Sequence, residues 1–161
     1  MISNSLKTII LAAGESKRIL SSKSKILHTI GGKTILGHVL DNMGKIISKK
    51  KMNIVISPKL NQLRNKYKKI NFSFQKKPLG TAHAVLSCKK FYSKSKEDIL
   101  ILYADNPFID ETIIKDMVNL KKEKNSDIVL LAVNTHKKNE YGRIVLNYED
   151  KVEKIVEFKD A

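Results

Sequence analysis

Several charged side chains in this chain lie just after apolar segments that end abruptly. Cations in such positions can bind phosphate, and a carboxylate there can bind the metal ion that accompanies it. The apolar run Thr8–Ala13 ends at Gly14, and Arg18 and Lys25 lie in the polar segment behind it. A short apolar run that ends at a glycine is typical of a strand buried on both faces of a parallel sheet. Ligands bind beyond the carboxyl ends of such strands. We therefore interpret this segment as a phosphate-binding loop, with an ordinary strand-to-helix connection as the equally weighted alternative.

A second candidate is Asp105, which follows the apolar run Asp98–Leu102. Mg²⁺ accompanies nucleoside triphosphates and is held by a few carboxylate oxygens together with water and phosphate. An aspartate in the same crevice as Gly14 would suit that role. Aspartates that precede Asn-Pro, as here before Asn106 and Pro107, also commonly bond their own backbone in a turn. The sequence leaves the metal role and the turn role equally open.

The third candidate segment contains Gln75, Gly80 and Thr81. An amide both donates and accepts hydrogen bonds, which is what recognition of a uracil edge requires. A glycine lets the backbone approach a planar base, and the hydroxyl of Thr81 can donate. Thr81 is also a candidate N-cap for the following helix, and the two roles are compatible. We predict that His83, within that helix, is packed or solvated rather than catalytic.

Known phosphate-loop signatures are absent around Gly14, because neither GxxxxGK[ST] nor GxGxxG occurs there. The segment instead resembles the L-A-A-G-x-G-T-R signature, followed by P-K, of sugar-phosphate nucleotidyltransferases. Ser16, Lys17 and Ser24 depart from that signature, and Ala104 replaces a usual glycine further on. Together with this signature, the segments K-x-L-H-x-x-x-G-K, Q-x-x-x-x-G-T-A-H-A, L-x-L-Y-x-D-x-P, Y-G-R-I and I-V-E-x-K-D-A resemble, in order, N-acetylglucosamine-1-phosphate uridylyltransferases.

This resemblance implies a reaction in which UTP and N-acetylglucosamine 1-phosphate give UDP-N-acetylglucosamine and pyrophosphate with Mg²⁺. The resemblance implies that Leu11, Ala13 and Gly14 contact the nucleoside, and that Gln75, Gly80 and Thr81 contact uracil. It implies that Arg18 and Lys25 bind the phosphates as the catalytic cations and that Asp105 binds Mg²⁺. It also implies contacts of the amino sugar with Tyr103, Gly142 and Glu157. Without the resemblance, the last three would be a core aromatic, a hairpin turn and a solvent-facing residue. The alternatives are a related nucleotidyltransferase with another substrate and a non-catalytic nucleotide-binding module.

The strong positive charge does not by itself indicate a nucleic-acid partner. The formal net charge is +15, yet only three of the 31 basic residues are arginines, and the lysines are spread along the chain in pairs. Base readout favours arginine, so we expect a solvated basic surface and no specific nucleic-acid partner. A single cysteine and the lack of any apolar run near the roughly 18 residues of a membrane span predict a cytoplasmic protein.

Apolar runs that alternate with helix-period segments predict an α/β fold, with a doubly wound, mostly parallel, Rossmann-like sheet and a carboxyl-terminal hairpin. The predicted strands are Thr8–Ala13, Asn53–Ile56, Phe72–Phe74, Asp98–Leu102, Asp127–Val133, Arg143–Tyr148 and Lys151–Phe158. The predicted helices are Thr34–Ile47, Leu60–Lys68, Gly80–Phe91 and one from Asp110 to about Lys124. We predict a single domain over 1–161. The resemblance implies that the rest of the usual domain and an acetyltransferase domain are absent, and a homo-oligomer or partner subunit would supply the missing segments.

Overall fold

The protein is described by a computed structural model that covers residues 5–14, 21, 23–135 and 139–157. The strands of these residues are β1 (Leu6–Ala12), β2 (Thr29–Ile30), β3 (Lys33–Thr34), β4 (Met52–Ile56), β5 (Asn71–Phe74), β6 (Asp98–Tyr103), β7 (Arg143–Leu146) and β8 (Val152–Val156). The α-helices are α1 (Ile35–Gly44), α2 (Leu63–Lys66), α3 (Thr81–Ser87), α4 (Lys89–Tyr92) and α5 (Glu111–Glu123), and short 3-10 helices cover Lys25–Leu27, Lys49–Lys51 and Pro58–Leu60.

A four-stranded sheet in the order β5-β4-β1-β6 forms the centre of the fold, and all its paired strands are parallel. In the register of β1, Ile10 lies opposite Ile54 of β4 on one side and Leu102 of β6 on the other. Apolar residues cluster on both faces of the sheet. The predicted doubly wound, mostly parallel α/β fold is therefore confirmed, as is the antiparallel hairpin of β7 and β8.

Helices cover both faces of the sheet because successive β1 side chains point in opposite directions. Ile10 packs in one core with Leu36 and Met43 of α1. Ile9 packs in the other with Cys88, the residue that follows α3. Cys88 is buried, and this burial raises the pKa of its thiol to about 11.

Two predicted helix starts are confirmed by their capping bonds. The hydroxyl of Thr34 accepts from the backbone N–H of Gly37 at the start of α1, at 3.0 Å. The Oδ1 atom of Asp110 accepts from the N–H groups of Thr112 and Ile113 at the start of α5. Such bonds satisfy amide groups that a helix start otherwise leaves unpaired.

The predicted strand Asp127–Val133 is wrong, because these residues form no strand and Ile128 is 76% exposed. Strand β6 is also less buried than expected. It forms an edge of the four-stranded sheet, and Ile101 is 45% exposed. An apolar run indicates that a strand is favourable, but it does not determine whether a neighbouring strand pairs with it.

The helices beside β5 differ from their predicted bounds. The predicted helix Leu60–Lys68 is shortened to α2, and the predicted helix Gly80–Phe91 is broken into α3 and α4 at Cys88. Gly80, rather than Thr81, occupies the N-cap position of α3, and Thr81 is its first helical residue. A glycine is needed there because φ is +92° and ψ is 177°, a region that other residues strongly disfavour.

The described residues divide into two compact units, one up to Asn119 and the other from Leu120 onward. The first contains the parallel sheet. The second contains the hairpin, whose turn is closed by Oδ1 of Asn147 accepting from the N–H groups of Glu149 and Lys151. None of the described helices is both long and apolar enough to cross a membrane.

A charged cluster joins segments next to the amino ends of β1, β4 and β6. Glu97 accepts hydrogen bonds from Lys51 and from the hydroxyl of Ser95, and it lies 3.5 Å from the ammonium group of Lys7. The hydrogen bonds from Lys51 and Ser95, followed by the charges of the two lysines, hold the pKa of Glu97 below its ordinary value of 4.5. The folded state therefore favours the ionised carboxylate.

We expect Glu97→Gln to lower the free energy of unfolding at pH 7 by about 0.5 to 1 kcal/mol, the range of partly exposed ion pairs. Because the folded pKa is depressed, the contribution of Glu97 is present above pH 4.5 and is lost as the pH falls below it. Urea denaturation of both proteins at a series of pH values measures this. A stability difference that stays constant into acid would contradict the assignment.

Candidate active site

Three segments predicted to carry chemistry meet at the carboxyl edge of the parallel sheet. After β6, the N–H of Ala104 donates to the carbonyl of Leu11 at 2.9 Å, which places Asp105 beside the end of β1. The N–H of Gln75 donates to the carbonyl of Ile56 at 2.9 Å, at the end of β4. Parallel strands end at one edge of the sheet. The fold therefore brings Gly14, Gln75 and Asp105 to the same side of the molecule.

Lys25 and Asp105 form the charged centre of this edge. The Nζ atom of Lys25 lies 3.0 Å from Oδ2 of Asp105, although the two residues are 80 positions apart in the chain. The turn after β6 is closed by the backbone bond from Asn106 to Tyr103. Within the described residues, the Asp105 carboxylate bonds Lys25 and not its own backbone. The side chain is thus available for a chemical role rather than being used by the turn.

Both partners of this pair are partly open to solvent, with 43% and 38% of their side chains exposed. A phosphate could therefore approach the ammonium group while a cation approaches the carboxylate. The described residues contain no group of three or more His, Cys, Asp or Glu side chains that could bind a metal ion by themselves. A single carboxylate suits Mg²⁺ that arrives with nucleotide phosphates, because phosphate oxygens and water complete its coordination.

The residues predicted to contact the nucleoside differ in how exposed they are. The side chains of Leu11 and Ala13 are buried in the core, so a nucleoside would meet their backbone rather than their side chains, and the carbonyl of Leu11 already accepts from the N–H of Ala104. Gly14 is exposed, and a Cβ atom built on it would meet nothing within 4 Å. The open space beside Gly14 is consistent with close approach of a ligand.

The segment predicted to read uracil is held together by the amide of Gln75. This side chain is buried, with 6% exposed, and its Nε2 atom lies 3.0 Å from the carbonyl of Gly80 and 3.0 Å from Nδ1 of His83. Sequence reasoning missed the contact with His83. The motif spacing gave no signal for it, because the contact depends on the turn at Gly80 that folds α3 back toward β5.

Tyr103 connects this segment to the end of β6. Its side chain is 49% exposed, so it is not a core aromatic. Its hydroxyl lies 3.3 Å from Oγ1 of Thr81. The predicted base-reading segment and one predicted sugar-contacting residue are therefore neighbours.

Gly142 and Glu157 lie at the open end of the hairpin, in the second compact unit. Gly142 precedes β7, Glu157 follows β8, and a Cβ atom on Gly142 would lie 3.8 Å from Oε2 of Glu157. Gly142 is therefore not the hairpin turn. The structure brings these two residues together, and their contact with an amino sugar stays a prediction. Arg18 lies outside the described residues, so its phosphate-binding and catalytic role also stays a prediction.

Two of the departures from the nucleotidyltransferase signature leave the backbone conformation intact. Ser24, which replaces a proline, has φ of −56°, close to the value that proline imposes. Ala104, which replaces a glycine, is buried and does not adopt a positive φ. Ser16 and Lys17 lie outside the described residues.

A separate concavity of about 1290 Å³ opens beside β5, α3 and α4 and is lined by Asn53, Arg64, Lys68, Ser87 and Lys89 among others. None of the predicted site residues lines it. Its position away from the carboxyl edge separates it from the Lys25–Asp105 pair.

Comparison with known proteins bears on what this edge does. The family described as MobA-like NTP transferase domain matches residues 8–150, a range that includes β4, β5, β6 and β1 from Thr8 onward. The chain belongs to this family. The expected resemblance to sugar-phosphate nucleotidyltransferases is thereby confirmed at the level of the domain.

The relatives of this chain include proteins described as the bifunctional protein GlmU. The chain is 39% identical over its whole length to the protein from Buchnera aphidicola subsp. Schizaphis graminum, and 41% identical to that from Buchnera aphidicola subsp. Acyrthosiphon pisum. The identity to the Clostridium kluyveri protein is 37% over 95% of this chain. In each case the chain spans about a third (34%) of the relative.

A solved structure described as mannose-1-phosphate geranyltransferase from Thermus thermophilus has the same fold. Its TM-score is 0.77 at 19% sequence identity, over 95% of this chain and 50% of that one. The low identity limits this likeness to the fold. It supports the α/β fold described above for this chain.

We expect Gly80→Ala to lower the free energy of unfolding by about 1 to 3 kcal/mol, because alanine is strained at φ of +92°. Gly44→Ala is a matched control, since Gly44 ends α1 without a positive φ and has open space around it. Alanine at Gly44 should be neutral or slightly stabilising. Denaturant unfolding of the three proteins measures the difference, and equal stabilities would contradict the conformation assigned to Gly80.

Proposed function

We propose that the chain is a uridylyltransferase that joins UTP and N-acetylglucosamine 1-phosphate to give UDP-N-acetylglucosamine and pyrophosphate, with Mg²⁺ as cofactor. The observation that carries this proposal is the Lys25–Asp105 pair, which holds one cation and one carboxylate at the carboxyl edge of the sheet, where Gly14 also lies. The family match and the GlmU relatives support it. Because the chain spans about a third of those relatives, the proposal concerns the reaction of this domain.

In the proposed reaction, a phosphate oxygen of the sugar phosphate attacks the α-phosphorus of UTP. The bond from that phosphorus to its bridging oxygen breaks, and pyrophosphate leaves with the electron pair. Lys25 would neutralise charge on the phosphates, together with Arg18. No covalent intermediate with the protein is needed. Mg²⁺, when bound at Asp105, would offset negative charge on the phosphate oxygens.

In this proposal, different groups of the predicted site residues bind different parts of the substrates. The backbone at Leu11, Ala13 and Gly14 would line the nucleoside, and Gln75, Gly80 and Thr81 would contact uracil. Tyr103, Gly142 and Glu157 would contact the amino sugar. The 3.3 Å contact between Thr81 and Tyr103 supports adjacent positions for the base-reading segment and Tyr103. A cytoplasmic location, a homo-oligomer and the lack of a specific nucleic-acid partner stay predictions.

Turnover by the purified chain tests the reaction directly. We expect UTP, N-acetylglucosamine 1-phosphate and Mg²⁺ to give UDP-N-acetylglucosamine, detected by mass spectrometry, with release of pyrophosphate. Parallel reactions with CTP, with GTP and with mannose 1-phosphate test the substrate. If product formed only with another nucleotide or another sugar phosphate, the result would favour a related nucleotidyltransferase. UTP binding without any product would favour a non-catalytic nucleotide-binding module.

The Asp105→Asn variant tests the proposed metal contact. In the wild-type chain without Mg²⁺, the carboxylate of Asp105 binds the ammonium group of Lys25 and therefore competes with phosphate for that group. We therefore expect the variant to bind UTP without Mg²⁺ at least as tightly as wild type does, and to lose most of the gain on adding Mg²⁺. Calorimetric titrations with and without Mg²⁺ measure both values.

The matched control for this experiment is Asp116→Asn, an exposed aspartate on α5. It removes the same charge away from the carboxyl edge, so it should leave the Mg²⁺ dependence unchanged. An Asp105→Asn variant that keeps the full Mg²⁺ dependence of wild type would remove Asp105 from the proposed metal contacts.

A further inference from the structure

The two hydrogens on the amide nitrogen of Gln75 both have partners inside the protein. One neighbour of Nε2 is the backbone carbonyl of Gly80 and the other is Nδ1 of His83, each at 3.0 Å. A backbone carbonyl can only accept, which determines that the nitrogen of the amide, and not its oxygen, faces Gly80. The side chain is therefore held in one of its two possible orientations.

This orientation of the Gln75 amide determines which ring nitrogen of His83 carries a proton. Because Nε2 of Gln75 is a donor with no lone pair to offer, Nδ1 of His83 must accept. The imidazole is then neutral, with its proton on Nε2. His83 is itself held in place, since the hydroxyl of Ser87 donates to its carbonyl at 2.8 Å and its neighbour Ala84 is buried against the sheet.

The oxygen of the same amide is the group left for a ligand, so Gln75 offers a base an acceptor but not the donor that the sequence also predicts. Within the described residues no group donates to Oε1 of Gln75. An acceptor at this position matches a base that carries an N–H at its hydrogen-bonding edge. Uracil has such a group at N3, whereas the N3 atom of cytosine is an acceptor and would face Oε1 without a hydrogen between them.

We propose that His83 is a positioning residue that fixes the Gln75 amide with its oxygen toward the base and so favours uracil over cytosine. The inference rests on the proposed function, because it assumes that Gln75 contacts the base of a bound nucleotide. His83 acts through Gln75. It takes no part in the transfer reaction itself, so its loss should alter affinity and base preference more than turnover at saturating substrate.

The hydrogen bond can be observed without any nucleotide. In the ¹⁵N-labelled chain, we expect the nitrogen shifts of His83 to show an unprotonated Nδ1 and a protonated Nε2. We also expect a scalar coupling across the N–H···N bond between Gln75 and His83, which disappears in His83→Leu. A protonated Nδ1, or no coupling in the folded wild-type chain, would overturn the inference.

Nucleotide binding tests the consequence. We expect His83→Leu to weaken UTP binding by about tenfold, the effect of leaving one buried donor without a partner, and to reduce the preference for UTP over CTP. His83→Asn should restore much of both, because the amide oxygen of asparagine can accept in place of Nδ1. Ser87→Ala is the matched control, since it removes a bond on the same helix without touching Gln75.

The outcomes separate this inference from the function on which it rests. A wild-type preference for UTP that persists unchanged in His83→Leu would overturn the role of His83 and leave the proposed function standing. A wild-type chain without any preference for UTP would contradict the proposed function, and the specificity role with it. Equal losses in His83→Leu, His83→Asn and Ser87→Ala would indicate that the helix only needs to be stable, and would also overturn the inference.

Discussion

The pairing of the buried strand β1 on both of its edges is the constraint on which the rest of the structure depends. Buried backbone groups must be hydrogen-bonded, and no water is available to a strand whose two faces are covered. β1 meets this requirement through parallel pairing with β4 and β6. Because the strands run in the same direction, their carboxyl ends coincide, and the loops that follow them share one edge.

The same strand pairing explains how side chains that are distant in the sequence come together at one edge of the sheet. The bond from Ala104 to Leu11 extends the ladder of β1 and β6 by one step beyond the strand, and Asp105 is the next residue. An ion pair with Lys25 then forms across the edge. Partial exposure keeps this pair exchangeable, since an exposed ion pair contributes little to stability and each partner can bind a ligand instead. Such a pair is compatible with the proposed binding of phosphate and a cation, which stays a prediction.

The segment predicted to read the base is held by contacts within the protein. Gly80 adopts a conformation that other residues strongly disfavour, and this conformation directs its carbonyl to the amide of Gln75. The buried amide uses both of its hydrogens within the protein, so its orientation does not depend on a ligand. An exchangeable charged pair beside a fixed amide is an arrangement that suits a site in which phosphates rearrange while the base stays in place.

Sequence patterns alone predict the class of fold and several of the residues that lie at the carboxyl edge of the sheet. Apolar runs that end before Gly14 and before Asp105 were enough to predict β1 and β6, although only β1 has the nearly complete burial that a continuous apolar run suggests. The caps at Thr34 and Asp110 were equally readable, since capping is a local interaction. The resemblance in ordered motifs then supplied the functional roles that local patterns could not.

Tertiary structure decided what depends on contacts between distant segments. The pattern of Asp127–Val133 favours a strand, but a strand forms only where a partner edge pairs with it, and none does so for these residues. The sequence left Asp105 open between a turn and a metal ligand, and only the tertiary structure shows that its carboxylate bonds Lys25, while the metal role stays a prediction. His83 carried no signal because its contact depends on the backbone turn at Gly80. Local sequence patterns specify how a segment folds, whereas the partner of an exposed or half-buried side chain is specified by the packing of the whole domain.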